Sequence, residues 1–320
     1  MTTTAKYRAR LPQLDQDRIF LTDGGMETTL IFLEGVDLPC FASFDLLKNG
    51  EGTAQVRRYY SRYAALARDT GMGFVLESPT WRANPDWAAK IGYPRDALAD
   101  MNRAAIVIMS ELRAEYERPR SPMPISGNIG PRGDGYNPGA LMSAKEAQDY
   151  HGEQIAVFAE TEADFVSAFT MNYVNEAIGI ARAAKAAGMP SVIAFTVETD
   201  GKLPTGQSLK DAIMQVDAET GSAPAYFMLN CAHPTHFIGA LKAGEPWTRR
   251  LRGLRANAST RSHAELDQAT DLDAGNPVEL GKQYADLRSR FRHLNVLGGC
   301  CGTDFRHVEQ ICFACEPVAA

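Results

Sequence analysis

Glu176 to Val197 reads EAIGIARAAKAAGMPSVIAFTV, and this stretch contains the unit from which the chain is built. Its first half, Glu176 to Ala187, consists largely of strong helix formers, and Gly188 followed by Pro190 stops the helix. Ser191 to Val197 then gives an apolar, β-branched run of strand length. Runs of the same kind recur on either side, at Ile19 to Gly25, Phe74 to Thr80, Pro124 to Gly130, Asp164 to Thr170, Ala225 to Cys231, Leu251 to Ala258 and Leu294 to Cys300. That makes eight, each bounded by Gly, Pro or Asn and each followed by a longer helical pattern. Ser143 with Glu146 forms a capping box ahead of a helix reaching about Ala163. Pro277 to Phe291 opens with proline in its first turn, and Thr303 to Cys315 reads as the last helix.

Nearly continuous apolar strands alternating with helices predict parallel strands buried on both faces, and eight such units close into an α/β fold, a (β/α)8 TIM barrel. The competing architecture is a doubly wound open sheet, but no G-x-G-x-x-G follows the first strand. No repeat, linker or low-complexity tract interrupts the alternation, so residues 1–320 are expected to form a single barrel domain. Apolar residues make up 45% and charged residues 22% of the chain, ample for a large core. The net charge of -6 comes from 39 acidic and 33 basic residues intermixed along the chain, which gives no basic face for nucleic acid or anionic membrane. Met1 to Arg10 lacks the apolar segment of a secretory leader and no membrane-length apolar stretch follows, so a cytoplasmic protein is expected. The expected partners are small molecules, and association into a homo-oligomer is left open.

In a barrel the reactive groups sit where strands end. Here those positions read Asp23-Gly24-Gly25, Ser78-Pro79-Thr80, Gly127 to Gly130, Thr170-Met171-Asn172, Glu198, Asn230-Cys231, Asn257 and Gly299-Cys300-Cys301. Six cysteines are too few for a disulfide scaffold, yet three of them fall on this one rim. Thiolates bind zinc at about 2.3 Å, and three protein ligands leave a fourth position open for substrate. Cys231, Cys300 and Cys301 supply that count. A thiol entering the fourth position is bound as thiolate, whereas a free thiol with a pKa of about 8.5 stays mostly protonated at neutral pH. Gly298 and Gly299 allow the close approach and sharp turn that bring both adjacent sulfurs to one ion.

Other candidates rank lower. Cys40, Cys312 and Cys315 read as small hydrophobes, and Cys312-Phe313-Ala314-Cys315 lies on a helix pattern away from any strand end. His233 and His236 are second-rank ligand candidates at a helix start, where capping is the commoner role. Glu77 and Glu198, at strand ends, suit a general base or a substrate contact. An alternative function follows from them, a zinc hydrolase or lyase in which Glu77 or Glu198 serves a metal-activated water. Three thiolates make zinc a weaker Lewis acid and argue against it. A third reading, a redox module with Cys300 bonded to Cys301, needs no metal.

Leu21-Thr22-Asp23-Gly24-Gly25-Met26-Glu27-Thr28, Asn230-Cys231 and Gly298-Gly299-Cys300-Cys301-Gly302 together resemble the zinc-dependent homocysteine S-methyltransferases, which are (β/α)8 barrels. The likeness runs roughly from Ile19 to Ile311. It implies a methyltransferase that makes methionine, with Zn2+ on Cys231, Cys300 and Cys301 and the homocysteine sulfur in the fourth place. It also implies that backbone groups of Gly24, Gly25 and Met26 hold the amino-acid end of the substrate, that Gly127 to Pro131 is the glycine-rich loop after the third strand, and that Asn230 stands beside the first zinc ligand. The chain departs from the family in three places. Phe169-Thr170 stands where the family usually has a glutamate on the homocysteine amino group, so the acceptor's amino end is expected to be held differently, with Thr170 among its contacts. Ala256-Asn257-Ala258-Ser259 replaces a Pro-Asn-Ser-Gly type loop, and Ser78 to Asn84 keeps only part of the family's polar pattern. The chain ends at Ala320 directly after the last helix, without an appended folate or cobalamin domain, so the expected donor is a small onium compound such as S-methylmethionine or a betaine.

Overall fold

The apolar runs form parallel strands: β1 (Phe20–Leu21), β2 (Gly73–Phe74), β3 (Leu76–Glu77), β4 (Ile125–Ile129), β5 (Phe165–Met171), β6 (Ser191–Phe195), β7 (Pro224–Asn230), β8 (Leu251–Ala256) and β9 (Val296–Gly299). They are seen in a computed structural model that describes residues 5–15 and 18–316. Met1 to Thr4 of the amino-terminal stretch, and the chain end at Ala320, lie outside the described residues.

The sheet order is β2-β1-β9-β8-β7-β6-β5-β4-β3. β2 and β3 are two pieces of one stave, separated only by Val75. Gly73 and Val75 donate to the carbonyls of Ile19 and Leu21 on one side, while Phe74 and Leu76 donate to those of Pro122 and Pro124 on the other. The ring therefore closes on eight staves, as the repeating unit predicts, and the open doubly wound sheet is ruled out. The split has a local cause: Pro124 has no N–H to return to the second stave, so a rung of the ladder is missing where the two pieces meet.

Seven long helices pack outside: α1 (Gly50–Thr70), α2 (Ala97–Tyr116), α3 (Ala144–Ala159), α4 (Val174–Ala186), α5 (Leu209–Thr220), α6 (Pro277–Arg290) and α7 (Phe305–Cys315). The Ser143–Glu146 capping box opens α3 as expected. That helix stops at Ala159 rather than near Ala163, where the Thr161 hydroxyl takes the Phe158 carbonyl at 2.7 Å. After β7 the expected long helix is absent. Only Pro234–Phe237 and a 3-10 turn at Pro246–Arg250 form there, because Pro234, Gly239, Gly244 and Pro246 break the segment four times.

Side chains alternate across the wall with a period of two. Phe20, Phe165, Val192, Tyr226, Met228 and Val296 fill the barrel interior, while Leu21, Val166, Ile193, Phe227 and Leu254 face the helices. The packed interior blocks the barrel from below, so a cavity can open only at the carboxyl ends of the strands. No described helix is long and apolar enough to cross a membrane.

Candidate active site

β7 ends at Asn230, and the next residue, Cys231, adopts a left-handed backbone with φ 53°. Thr170, near the end of β5, does the same with φ 62°. Left-handed backbone costs a non-glycine residue energy and persists only where the surroundings enforce it. Asn230 enforces the Thr170 conformation, its Oδ1 accepting the Thr170 N–H and its Nδ2 donating to Thr170 Oγ1, both at 2.9 Å. The Cys231 carbonyl accepts from Asn257 Nδ2 at 3.0 Å and lies 2.7 Å from His263 Nε2, while the Cys231 N–H reaches the Arg255 carbonyl. His263 in turn meets Glu198 at 3.0 Å and stacks on Tyr136 at 3.9 Å between ring centres.

The other two cysteines follow β9, where side chains at Gly298 and Gly299 would overlap Thr22 and Thr303. At Gly25 a side chain would overlap the Cys300 carbonyl, so the loop after β1 lies directly on the loop after β9. Cys231 and Cys300, 69 residues apart in sequence with Cα atoms 5.4 Å apart, are joined as a disulfide, and Cys301 Sγ lies 3.9 Å from Cys231 Sγ. The bonded pair is thus Cys231–Cys300, not the adjacent Cys300–Cys301. All three sulfurs lie within 4.8 Å of one another.

This donor set fits zinc. Tetrahedral ligation with bonds of about 2.3 Å spaces sulfurs about 3.8 Å apart, close to the Cys231–Cys301 separation, and reduction frees the remaining pair to take up the same arrangement. Each sulfur also has its own polar neighbour: Thr170 Oγ1 at 3.9 Å from Cys231, Asn230 Nδ2 at 3.9 Å from Cys300 and Tyr136 Oη at 3.7 Å from Cys301. Such outer partners fix ligand orientation. Burial pushes the Cys301 thiol above its ordinary pKa, partly offset by the Tyr136 hydrogen bond. Burial, reinforced by Cys301, also raises the Tyr136 hydroxyl far above its usual range, so Tyr136 stays a neutral donor.

The sulfurs open onto a cavity of about 450 Å3 that seven carboxylates and two guanidinium groups line. Gly24, Gly25, Met26, Thr170 and Glu77 line it as well, while Asn230 holds Thr170 and Cys300 from behind. The Gly25 N–H is already given to Thr303, at 3.0 Å to its carbonyl. Glu198 does not reach the cavity and serves His263. His233 caps the short helix after β7 by accepting the Thr235 N–H, burial lowering its pKa to about 4, and His236 lies 3.0 Å from the Thr260 carbonyl, so neither joins the sulfur cluster.

Sequence reading missed Arg255, Tyr136 and His263. Arg255 was detectable as a charge at the carboxyl end of a strand, where arginine is rarely buried without partners. Tyr136 sits in a Gly- and Pro-rich loop whose path only the fold reveals, and nothing in the sequence marks His263.

Residues 20–315 match the family described as homocysteine S-methyltransferase. Among solved structures, the fold is similar to the homocysteine methyltransferase MmuM from Escherichia coli. The oxidised form matches with TM-score 0.73 at 18% identity over 96% of this chain and 99% of that one. The metallated form matches with TM-score 0.72 at 18% identity over 95% and 99%.

Proposed function

Because the chain belongs to the homocysteine S-methyltransferase family, we propose that it transfers a methyl group from a small onium donor to a thiol, homocysteine in the first instance, at zinc held by Cys231, Cys300 and Cys301. Bound zinc would supply one thing, an acceptor sulfur kept as thiolate at neutral pH. The chain's own residues do the rest. Thr170, Asn230 and Tyr136 orient the three ligand sulfurs, and the backbone around Gly24 and Met26 walls the acceptor in beside them. In the transfer, the acceptor sulfur bonds to the methyl carbon as that carbon's bond to the donor's sulfonium or ammonium centre breaks. The bonding pair leaves with the donor, which departs one positive charge poorer, and the thiol proton goes to solvent.

Two properties of the cavity support an onium donor of the S-methylmethionine or betaine type. Carboxylates outnumber guanidinium groups on its wall seven to two, and Tyr136 and Phe41 add aromatic faces that attract cations. The observation that carries the proposal is the convergence of three cysteine sulfurs, each with its own polar neighbour, on the wall of this cavity. The test is to load reduced protein with zinc and measure methionine formed from homocysteine with S-methylmethionine or glycine betaine. One zinc per chain and methionine with either donor are expected. Reduced protein that takes up no zinc, or zinc-loaded protein that methylates no thiol, sinks the proposal.

A further inference from the structure

Two guanidinium groups line the cavity, and one of them is already saturated. Arg255 gives Nε to the Gly299 carbonyl at 2.9 Å and Nη2 to the Gly24 carbonyl at 3.0 Å, and its Nη1 meets Asp23 and Glu77. Arg82 has capacity left. Its side chain is 5% exposed, and among the described residues its five N–H groups make one hydrogen bond, from Nη1 to the Gly133 carbonyl at 3.2 Å. Nε has no partner among those residues, and Nη2 lies 3.8 Å from Asp134 Oδ2, beyond hydrogen-bond reach. Asp134 is itself engaged elsewhere, its Oδ1 accepting the N–H groups of Tyr136 and Asn137 at 2.8 and 3.1 Å. Burial lowers the Arg82 pKa to about 10, with Asp134 only partly opposing it. A buried cation with open donors is costly until an anion meets it.

What flanks the guanidinium fixes its plane. It is clamped between the rings of Trp81 and Trp87, 3.9 and 3.5 Å from their centres. Trp81 is held by its Nε1 on the Phe169 carbonyl at 3.3 Å, and Trp87 by its Nε1 on the Gly133 carbonyl at 3.2 Å. Asn84 caps the short helix Pro85–Lys90 that carries Trp87. With indoles on its faces, the guanidinium keeps its edge, a fork that matches a carboxylate in two parallel hydrogen bonds.

We propose that Arg82 receives the carboxylate of the methyl donor, which makes the donor class a zwitterion with an onium centre and a carboxylate in one small molecule. The inference rests on the methyltransferase reading given above. On a wall with seven carboxylates, a substrate's own carboxylate has one uncommitted cation to go to. The acceptor's sulfur has to reach the cysteine cluster, so the donor takes the part of the cavity left toward solvent. Arg82 stands on that side, beside Asp134, whose side chain is 46% exposed, and within electrostatic reach of the exposed Cys40. The loop after β4 links the two ends of the donor's place. Gly133 and Asp134 meet Arg82, and Tyr136, two residues on, sets its hydroxyl 3.7 Å from Cys301. An onium compound without a carboxylate leaves the buried guanidinium unpaired, and the site discriminates against it.

Two matched pairs of onium compounds test this on the reduced, zinc-loaded protein: glycine betaine against ethyltrimethylammonium, and S-methylmethionine against 3-aminopropyldimethylsulfonium. In each pair the second member lacks the carboxylate. With homocysteine saturating, the carboxylated member of at least one pair should be used with a kcat/KM at least about thirtyfold higher. Arg82→Gln should erase that preference through KM, while the carboxylate-free member and the affinity for homocysteine stay within about threefold of wild type. Arg82→Lys, which keeps the charge without the fork, should restore part of it. Binding is read separately: a carboxylate docking between Trp81 and Trp87 should change tryptophan fluorescence before any acceptor is added, in the wild-type protein and not in Arg82→Gln. Zinc content and thermal melting establish that the variants are folded. Equal use of both members of each pair by the wild-type protein, or an Arg82→Gln protein that keeps the preference or loses homocysteine instead, overturns the inference and leaves the methyltransferase reading standing. No methyl transfer from any of the four compounds to homocysteine overturns that reading itself.

Discussion

The barrel buries a carboxylate cluster at each end, and the two are finished differently. At the amino end of β5, Asp164 Oδ2 accepts from Arg113 at 3.1 Å and from the Ile125 N–H at 2.8 Å, while Oδ1 takes the Tyr7 N–H, so both oxygens are engaged. At the carboxyl end, Asp23 and Glu77 share one guanidinium; Asp23 Oδ2 accepts from the Tyr59 hydroxyl at 3.0 Å, and Oδ1 faces Arg255 Nη1 at 2.9 Å without an aligned hydrogen bond. Burial pushes both aspartates above the ordinary carboxyl range, so titration behaviour does not separate a structural cluster from a binding one. Unfilled hydrogen-bonding capacity facing a cavity does. The closed cluster holds elements together, and the open one has room for a ligand's charge.

The contrast can be broken from either end. The largest effect is expected at the open end: Cys301→Ser should abolish stoichiometric zinc and lower methyl transfer by more than about a thousandfold, read by metal analysis and turnover. At the closed end, Arg113→Ala strands Asp164 and should cost about 3 kcal/mol of stability in urea unfolding. The same variant should keep its zinc and its turnover per folded molecule, and a loss of turnover would show that the two ends are coupled. Asn230→Ala frees Thr170 and removes the neighbour of Cys300, so zinc affinity measured by chelator competition should fall by about 10- to 100-fold.

The smallest effect is also at the closed end. His293, 2.7 Å from the Thr248 carbonyl, has its pKa lowered by burial. The unfolded chain then binds the extra proton first, so stability falls as pH drops below the ordinary imidazole value of about 6.5. His293→Gln should remove this slope, by less than about 1 kcal/mol, in urea midpoints measured across that range.

How much could be read from the sequence depended on whether the cause was local. The α3 capping box, the stop after α4 and Pro277 at the head of α6 are short-range signals, and all three stand in the structure. The missing helix after β7 was also written locally, in two prolines and two glycines that the strand-helix rhythm masked. The three cysteines could be read as a cluster because a parallel barrel delivers every strand end to one rim. Arg255 needed more, since its role depends on Asp23 and Glu77, which arrive from β1 and β3 across the ring. The Tyr136–His263 stack joins a loop to the short helix His263–Asp267, and their meeting has no periodic signature at all.

The split second stave has a dynamic consequence. β1 pairs with β2 and with β9, and β3 with β4, over only two residues each, so the hydrogen-bonded ring is thinnest around the first two staves. Amides of Phe74 and Leu76 should exchange with deuterated solvent sooner than those of β6 or β7. Arg255 reaches over that seam, tying Asp23, two residues past β1, to Glu77 at the end of β3. A ligand that fills the cavity beside Glu77 and Arg255 would tighten the tie, so deuterium uptake at the seam becomes a gauge of how full the site is, even when no methyl group moves.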